Sequence, residues 1–216
     1  MRSDRGLERF VTFLDAVVAI AITLLVLPLA DVIGGEHVPA HGADVFRENG
    51  ARFAAFLLSF AVIARLWTGH HRMVERVGGY DTAFVLANLG WVLTIVFLPF
   101  ATQLAAAYPA RDRLAVGVYV GTITLSSVFM AAAAVLVWRR PALRREGISR
   151  QDAFPRAAFL TTSLLVLAFV LATAIPAVNY YGLLLLLLTG PLDRLLPGRS
   201  GAGSPDPEPA TEEHPG

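Results

Sequence analysis

Two charged residues stand six positions apart at the head of an otherwise apolar run, RFVTFLDAVVAIAITLLVLPL: Arg9 and Asp15. A base and an acid at the mouth of a hydrophobic helix are costly to maintain and mark a functional site by default. A second concentration of reactive side chains lies in ARLWTGHHRMVERV, which carries Arg65, Trp67, His70, His71 and Arg72. Trp67 and His70 are three residues apart and so share a helix face. An indole N–H and an imidazole N–H can both donate to a carboxylate, and Asp15 needs such a partner. The competing reading of the same residues, of equal weight, is interfacial anchors and snorkelling arginines.

Other chemistries find little material. The chain has no cysteine, which excludes disulfides, thiolate metal sites and cysteine nucleophiles. His37 and His41 have the i, i+4 spacing of a helical zinc pair, but they lie in a Gly/Pro-rich stretch with no third ligand nearby, and a solvated loop accounts for them better. No apolar segment presents a nucleophile beside a base, so an enzyme is the least favoured class. Neither a cofactor nor a nucleic-acid partner is expected.

The elements that must position Arg9 and Asp15 are membrane spans. Of 216 residues, 55% are hydrophobic and 16% charged, and the mean hydropathy is +0.58, far from a soluble domain. Stretches of about 20 apolar residues predict six transmembrane helices, over residues 10–33, 51–69, 83–107, 113–138, 157–177 and 180–196. The fold class is thus all-α and polytopic, a six-helix membrane domain over 1–197. The first span is too long, and too closely flanked by acids, for a cleaved signal peptide. Residues 198–216, rich in Gly, Pro and Glu, cannot bury a core and are expected to be disordered. Trp138, Tyr108, Tyr180 and Tyr181 fall near span ends as interfacial anchors. Pro28 and Pro99 are expected to interrupt spans near their ends, and Pro176 falls at a span boundary.

Charge placement orients the chain. With the N terminus inside, thirteen arginines (2, 5, 9, 72, 76, 139, 140, 144, 145, 150, 156, 194, 199) lie inside and four (47, 52, 111, 113) outside, with Arg65 in a span. The positive-inside rule therefore predicts that both termini are cytoplasmic. The external loop from Asp31 to Asn49 is acidic instead, through Asp31, Glu36, Asp44 and Glu48.

On a helical wheel at about 100° per residue with Ile20 at zero, Phe13, Arg9, Leu24 and Leu27 all fall within about 40° of it, whereas Asp15 lies about 140° away. The stripe through Ile20, Leu24 and Leu27 is apolar. Asp15 turns toward the rest of its own subunit. For an arbitrary span the apolar stripe would be lipid-facing or packing bulk. Ala16, Ala19 and Ala21 permit close helix approach.

The arrangement Arg9-x-x-x-Phe13-Leu14-Asp15 followed by AIAITLLVL resembles the start of the first helix in the TMEM175 family of potassium channels, whose signature is RxxxFSD. The resemblance continues in Trp67-x-x-His70-His71, in Asn88-Leu89 and in Leu98-Pro99-Phe100, and covers about the first 105 residues. It implies a homotetramer of six-helix subunits in a lipid bilayer, with the first helix of each lining a central pore for monovalent cations, K+ above all. The positions matching the family's apolar constriction are Ile20, Leu24 and Leu27, with Thr23 as an adjacent polar residue. The matching polar cluster is Arg9, Phe13 and Asp15 with Trp67 and His70. Leu14 replaces the family serine and Ala16 stands where glycine is frequent, which removes one hydroxyl from the cluster.

Three readings compete. A passive potassium channel explains the stripe beneath a charged mouth. A proton-coupled or proton-conducting transporter would use Asp15 and His70 as a relay, but no internal repeat of the transporter kind is present. A structural membrane protein gives no reason for the stripe.

Overall fold

The computed structural model describes residues 4–34 and 41–175, and among them every regular element is helical. The first span divides into α1 (Asp4–Leu24) and α2 (Leu27–Gly34). A short α3 (Gly42–Glu48) leads into α4 (Gly50–Val74), followed by α5 (Thr82–Ala107), α6 (Arg113–Arg139), a 3-10 turn at Pro141–Leu143, and α7 (Arg156–Ala174). Among the described residues, five stretches are long and apolar enough to cross a membrane: Arg5–Gly34 and the four helices α4, α5, α6 and α7. The expected span at 180–196, Tyr180, Tyr181, His37, Pro176 and the tail 198–216 lie outside the described residues.

Two carboxylates set where the central helices begin. Asp81 accepts from the Phe84 amide at 2.9 Å, and Asp112 accepts from the amides of Leu114 and Ala115, both at 2.9 Å. Each satisfies amides that a helix start leaves without partners and places its negative charge at the positive end of the helix dipole. Arg140, just past α6, donates to Asp81 and so ties the end of α6 to the start of α5.

α6 packs between α5 and α7, and α5 also carries α1 and α4 on its other sides. The core is built from Trp91, Ile95 and Leu98 of α5, Tyr119 and Ile123 of α6, Ile63 and Leu66 of α4, and Leu14 and Val18 of α1. Lipid tails are as apolar as leucine, so helix association rests on close packing and on polar contacts. Gly90 supplies the first: a Cβ there would lie 2.5 Å from the Phe129 ring. The Tyr119 hydroxyl and Ser59 supply the second at 2.8 Å, extended by Thr102 donating to Ser59 at 2.7 Å.

The two prolines behave differently. Pro28 interrupts its span near the end, as the sequence suggests, and divides it in two. Lacking an N–H and crowding the Leu24 carbonyl, it cannot continue α1. The amides of Leu25 and Val26 turn back to the carbonyls of Ile22 and Thr23, both at 3.3 Å, and a new helix begins at Leu27. Pro99 interrupts nothing, and α5 runs through it to Ala107. It is buried where α5 has neighbours on several sides, and that packing carries the helix across one missing bond. The acidic stretch expected as loop contains α3, with half-buried Asp44 paired to exposed Arg47 at 3.7 Å.

Candidate pore-lining helix and its polar anchor

One face of α1 is core. Leu14, Val18 and Ala21 are all 2% exposed or less, at intervals of four and three residues that keep them on one side of the helix, and Leu25 just past its end is 3% exposed. The opposite side is open. Ile20 is 58% exposed, Leu24 39% and Phe13 53%, and Arg9 lies exposed on the same side. Leu27 is 51% exposed but belongs to α2, so the break at Leu25–Val26, not a straight wheel, sets its direction. Thr23 is exposed too, and its hydroxyl donates to the Ile20 carbonyl at 2.8 Å, which occupies its proton within the helix.

Asp15 sits between these two faces and is half-buried. Trp67 of α4 donates its indole N–H to Asp15 Oδ1 at 2.9 Å. The carboxylate thereby gains a donor inside a span, where an unpartnered charge would be costly. Trp67 stacks in turn on His71, with ring centroids 5.4 Å apart. His71 Nε2 lies 3.8 Å from Glu75 at the end of the helix.

His70 does not join Asp15. Its ring is 1% exposed, its Nε2 lies 2.7 Å from Asn88 Oδ1, and it stacks on Trp91 with centroids 3.9 Å apart and planes within 3°. The physical reason is the helical turn: three residues advance the direction by about 300°, so His70 points about 60° away from Trp67. That is enough for Trp67 to meet α1 and His70 to meet α5. Asn88 is fixed from behind, since its amide donates to the Phe84 carbonyl at 2.8 Å. The cluster expected around one carboxylate is therefore two adjacent ones, Asp15–Trp67 and His70–Asn88–Trp91. Asn88 was visible only as part of a motif, and Trp91 carried no signal apart from its size. Leu14, in place of the family serine, is 1% exposed within the hydrocarbon core, where it fills space.

No group of three or more His, Asp or Glu placed to hold a metal ion occurs among the described residues.

Comparison with known proteins bears on this geometry. The family model described as endosomal/lysosomal potassium channel TMEM175 matches residues 9–99, the stretch that holds both clusters. A potassium channel of Chamaesiphon minutus is 34% identical over 152 residues, covering 65% of this chain and 68% of the relative. The chain belongs to the TMEM175 family. Within that family, a potassium channel of Streptomyces collinus is 34% identical over 137 residues, covering 60% of this chain and 62% of the relative. The human endosomal/lysosomal proton channel TMEM175 is 32% identical over 104 residues, covering 47% of this chain and 20% of that protein. The matched region thus spans only part of those two relatives. In three dimensions, the crystal structure of a lysosomal potassium-selective channel TMEM175 homolog from Chamaesiphon minutus superimposes with a TM-score of 0.69 at 26% identity, over 88% of this chain and 98% of that one. The all-helical membrane architecture is that of a TMEM175 channel.

Proposed function

We propose that the chain forms a homotetrameric, potassium-selective channel of a prokaryotic plasma membrane, with both termini cytoplasmic and α1 of each subunit lining the pore. The observation that carries this reading is the open face of α1, where Ile20 is 58% exposed on a helix whose other side is core. A lipid-facing stripe would be apolar throughout. This one runs from the Arg9 guanidinium to Ile20 and Leu24, which suits an axis that is aqueous at one end and constricted further in. The names of the Chamaesiphon and Streptomyces relatives support potassium as the ion.

In this reading four copies of Ile20 surround the axis, and Leu24 and Leu27 form further apolar rings. Apolar rings offer no oxygen ligands, so a passing ion sheds part of its water without compensation. Sodium, the more strongly hydrated ion, is penalised more than potassium, and a narrow apolar ring also gates by dewetting. Asp15, turned from the axis and bound to Trp67, holds α1 against α4.

The human relative's name favours proton conduction as a second reading. A direct Asp15–His70 relay does not fit it, because His70 is bound to Asn88 instead. The test is reversal potential in planar bilayers. Ile20→Asn should bring the sodium permeability close to that of potassium, whereas Leu24→Asn and Leu27→Asn should chiefly change conductance or gating. An unchanged potassium-to-sodium ratio in Ile20→Asn would remove the filter from this ring, and a reversal potential that follows the pH gradient alone would establish the proton reading.

A further inference from the structure

The first turns of α1 meet the rest of the subunit along a narrow edge. Of residues 5–10, Arg5, Glu8 and Arg9 are exposed, and only Gly6, Leu7 and Phe10 are partly covered. Leu7 and Phe10 pack, together with Tyr80, on an apolar cluster that includes Val77, Phe84 and Leu143. The Tyr80 ring stacks on Phe10, with centroids 6.3 Å apart and planes 15° apart. Its hydroxyl reaches the α1 backbone at Gly6, where a Cβ would lie 2.5 Å from the phenol oxygen. Gly6 and Phe10 are four residues apart and so form one seat for the ring. On the wheel that sets Ile20 at zero they fall about 40° and about 80° away. Tyr80 thus bears on α1 from the flank of its open face.

The backbone that carries Tyr80 is clamped. Residues 75–81 join α4 to α5, and within them Val77 is fully buried and pairs with Arg144 in an antiparallel bridge. The amides of Gly78 and Gly79 donate to the Leu143 carbonyl at 3.0 and 3.4 Å, and the Arg145 amide donates to the Arg76 carbonyl at 2.9 Å. The two backbones touch, since a Cβ on Gly79 would lie 2.8 Å from the Ala142 carbonyl oxygen. Asp81, the residue after Tyr80, receives Arg140. A ring stacked on Phe10 and carried by a clamped backbone cannot swing aside at little cost. It acts on α1 as a stop of fixed height, and Gly6 matches that height by having no side chain.

We propose, on the reading that α1 lines the pore, that Tyr80 is a positioning residue for conduction: through Gly6 it fixes the end of α1 that carries Arg9, and with it the balance between conducting and closed arrangements of the apolar rings. Gly6 stands fourteen residues before Ile20, about 21 Å along the helix axis. A sideways shift at Gly6 therefore reaches Ile20 as a tilt of α1. A methyl at Gly6 regains ordinary contact distance only if α1 and the phenol separate by about 1 Å.

The test is single-channel recording of the full-length protein in planar bilayers, with thermal melts to establish that each variant is folded. Gly6→Ala pushes α1 off the phenol, whereas Tyr80→Ala withdraws the stop. The two should shift open probability in opposite senses, each by about threefold, with the potassium-to-sodium reversal potential unchanged. Tyr80→Phe added to Gly6→Ala removes the colliding oxygen and leaves Cζ, at 3.3 Å, as the nearest atom. The double variant should return to the open probability of Tyr80→Phe alone. A merely structural role for Tyr80 lowers the melting temperature and leaves gating alone. Wild-type gating in either single variant, shifts in the same sense, or no recovery in the double variant would overturn the proposal. The pore-lining role of α1 has its own control, because the chain has no cysteine and a thiol reagent should block current through Ile20→Cys. Block at Ile20→Cys with unshifted gating in Tyr80→Ala refutes the positioning role alone, whereas current through Ile20→Cys that ignores the reagent refutes the pore-lining role and this proposal with it.

Discussion

The Trp67 indole donates to Asp15 across 2.9 Å and is the hydrogen bond that links α4 to the acid of the family motif. Trp67→Phe keeps the ring packing and removes the donor. The carboxylate then stays within the span with its partner gone, at a cost of about 1–3 kcal/mol. Trp67→Phe should therefore lower the thermal stability of the detergent-solubilised protein, and Asp15→Leu added to it should recover part of the loss. Should the double variant melt below either single one, the bond would not be the coupling that joins the two residues.

His70 is held by Asn88 and Trp91 and buries its whole ring, so His70→Ala opens a cavity and strips a buried amide of its partner. A loss of about 2–4 kcal/mol is expected from those two effects together. Asn88→Leu should cost less, since it removes one side of the same hydrogen bond without a void. Unfolding monitored by tryptophan fluorescence reads both, and His70→Ala with wild-type stability would refute the assignment of His70 as a packing residue.

Asp81 caps α5 and receives Arg140. The Phe84 amide, and then the Arg140 side chain, hold its carboxyl below the ordinary value of 3.8 against the opposing effect of its partial burial. A depressed carboxyl contributes stability that is complete above the unfolded-state pKa and is lost as pH falls through the folded-state pKa. Stability should thus decline below about pH 4 through this group, and Asp81→Ala should show a smaller decline. At neutral pH, Asp81→Ala should cost about 1 kcal/mol as the loss of an N-cap. Thermal melts across the acid range of the two proteins give the comparison.

Membrane orientation follows from the arginine asymmetry and is open to single-cysteine labelling. Gly42 and Pro109 should label from outside, and Glu75 and Glu146 should be protected. The turn glycine Gly78 is unsuitable as a probe, because a Cβ there would lie 2.8 Å from the Arg145 backbone. External labelling at Glu146 would invert the assignment.

The apolar stretches and their charges determined much of this protein without a structure. Described spans begin within a residue or two of their expected positions where a carboxylate caps them, as at Thr82 and Arg113. The helical period put Ile20 and Leu24 on one stripe and turned Asp15 away from it, and the structure leaves Ile20 and Leu24 exposed while Asp15 is half-buried. Partner choice was different. Trp67 and His70 share a face by spacing, yet the 60° between them sends one to α1 and the other to α5, a division that depends on where the neighbouring helices stand. Pro28 and Pro99 likewise read alike in the sequence. One breaks its helix and the other does not, because α5 is held from several sides at Pro99 whereas the first span at Pro28 has fewer neighbours to hold it straight. Composition and periodicity are local properties and survive in the sequence; the fate of a proline or of a histidine's hydrogen bond is decided by packing between segments distant in the chain.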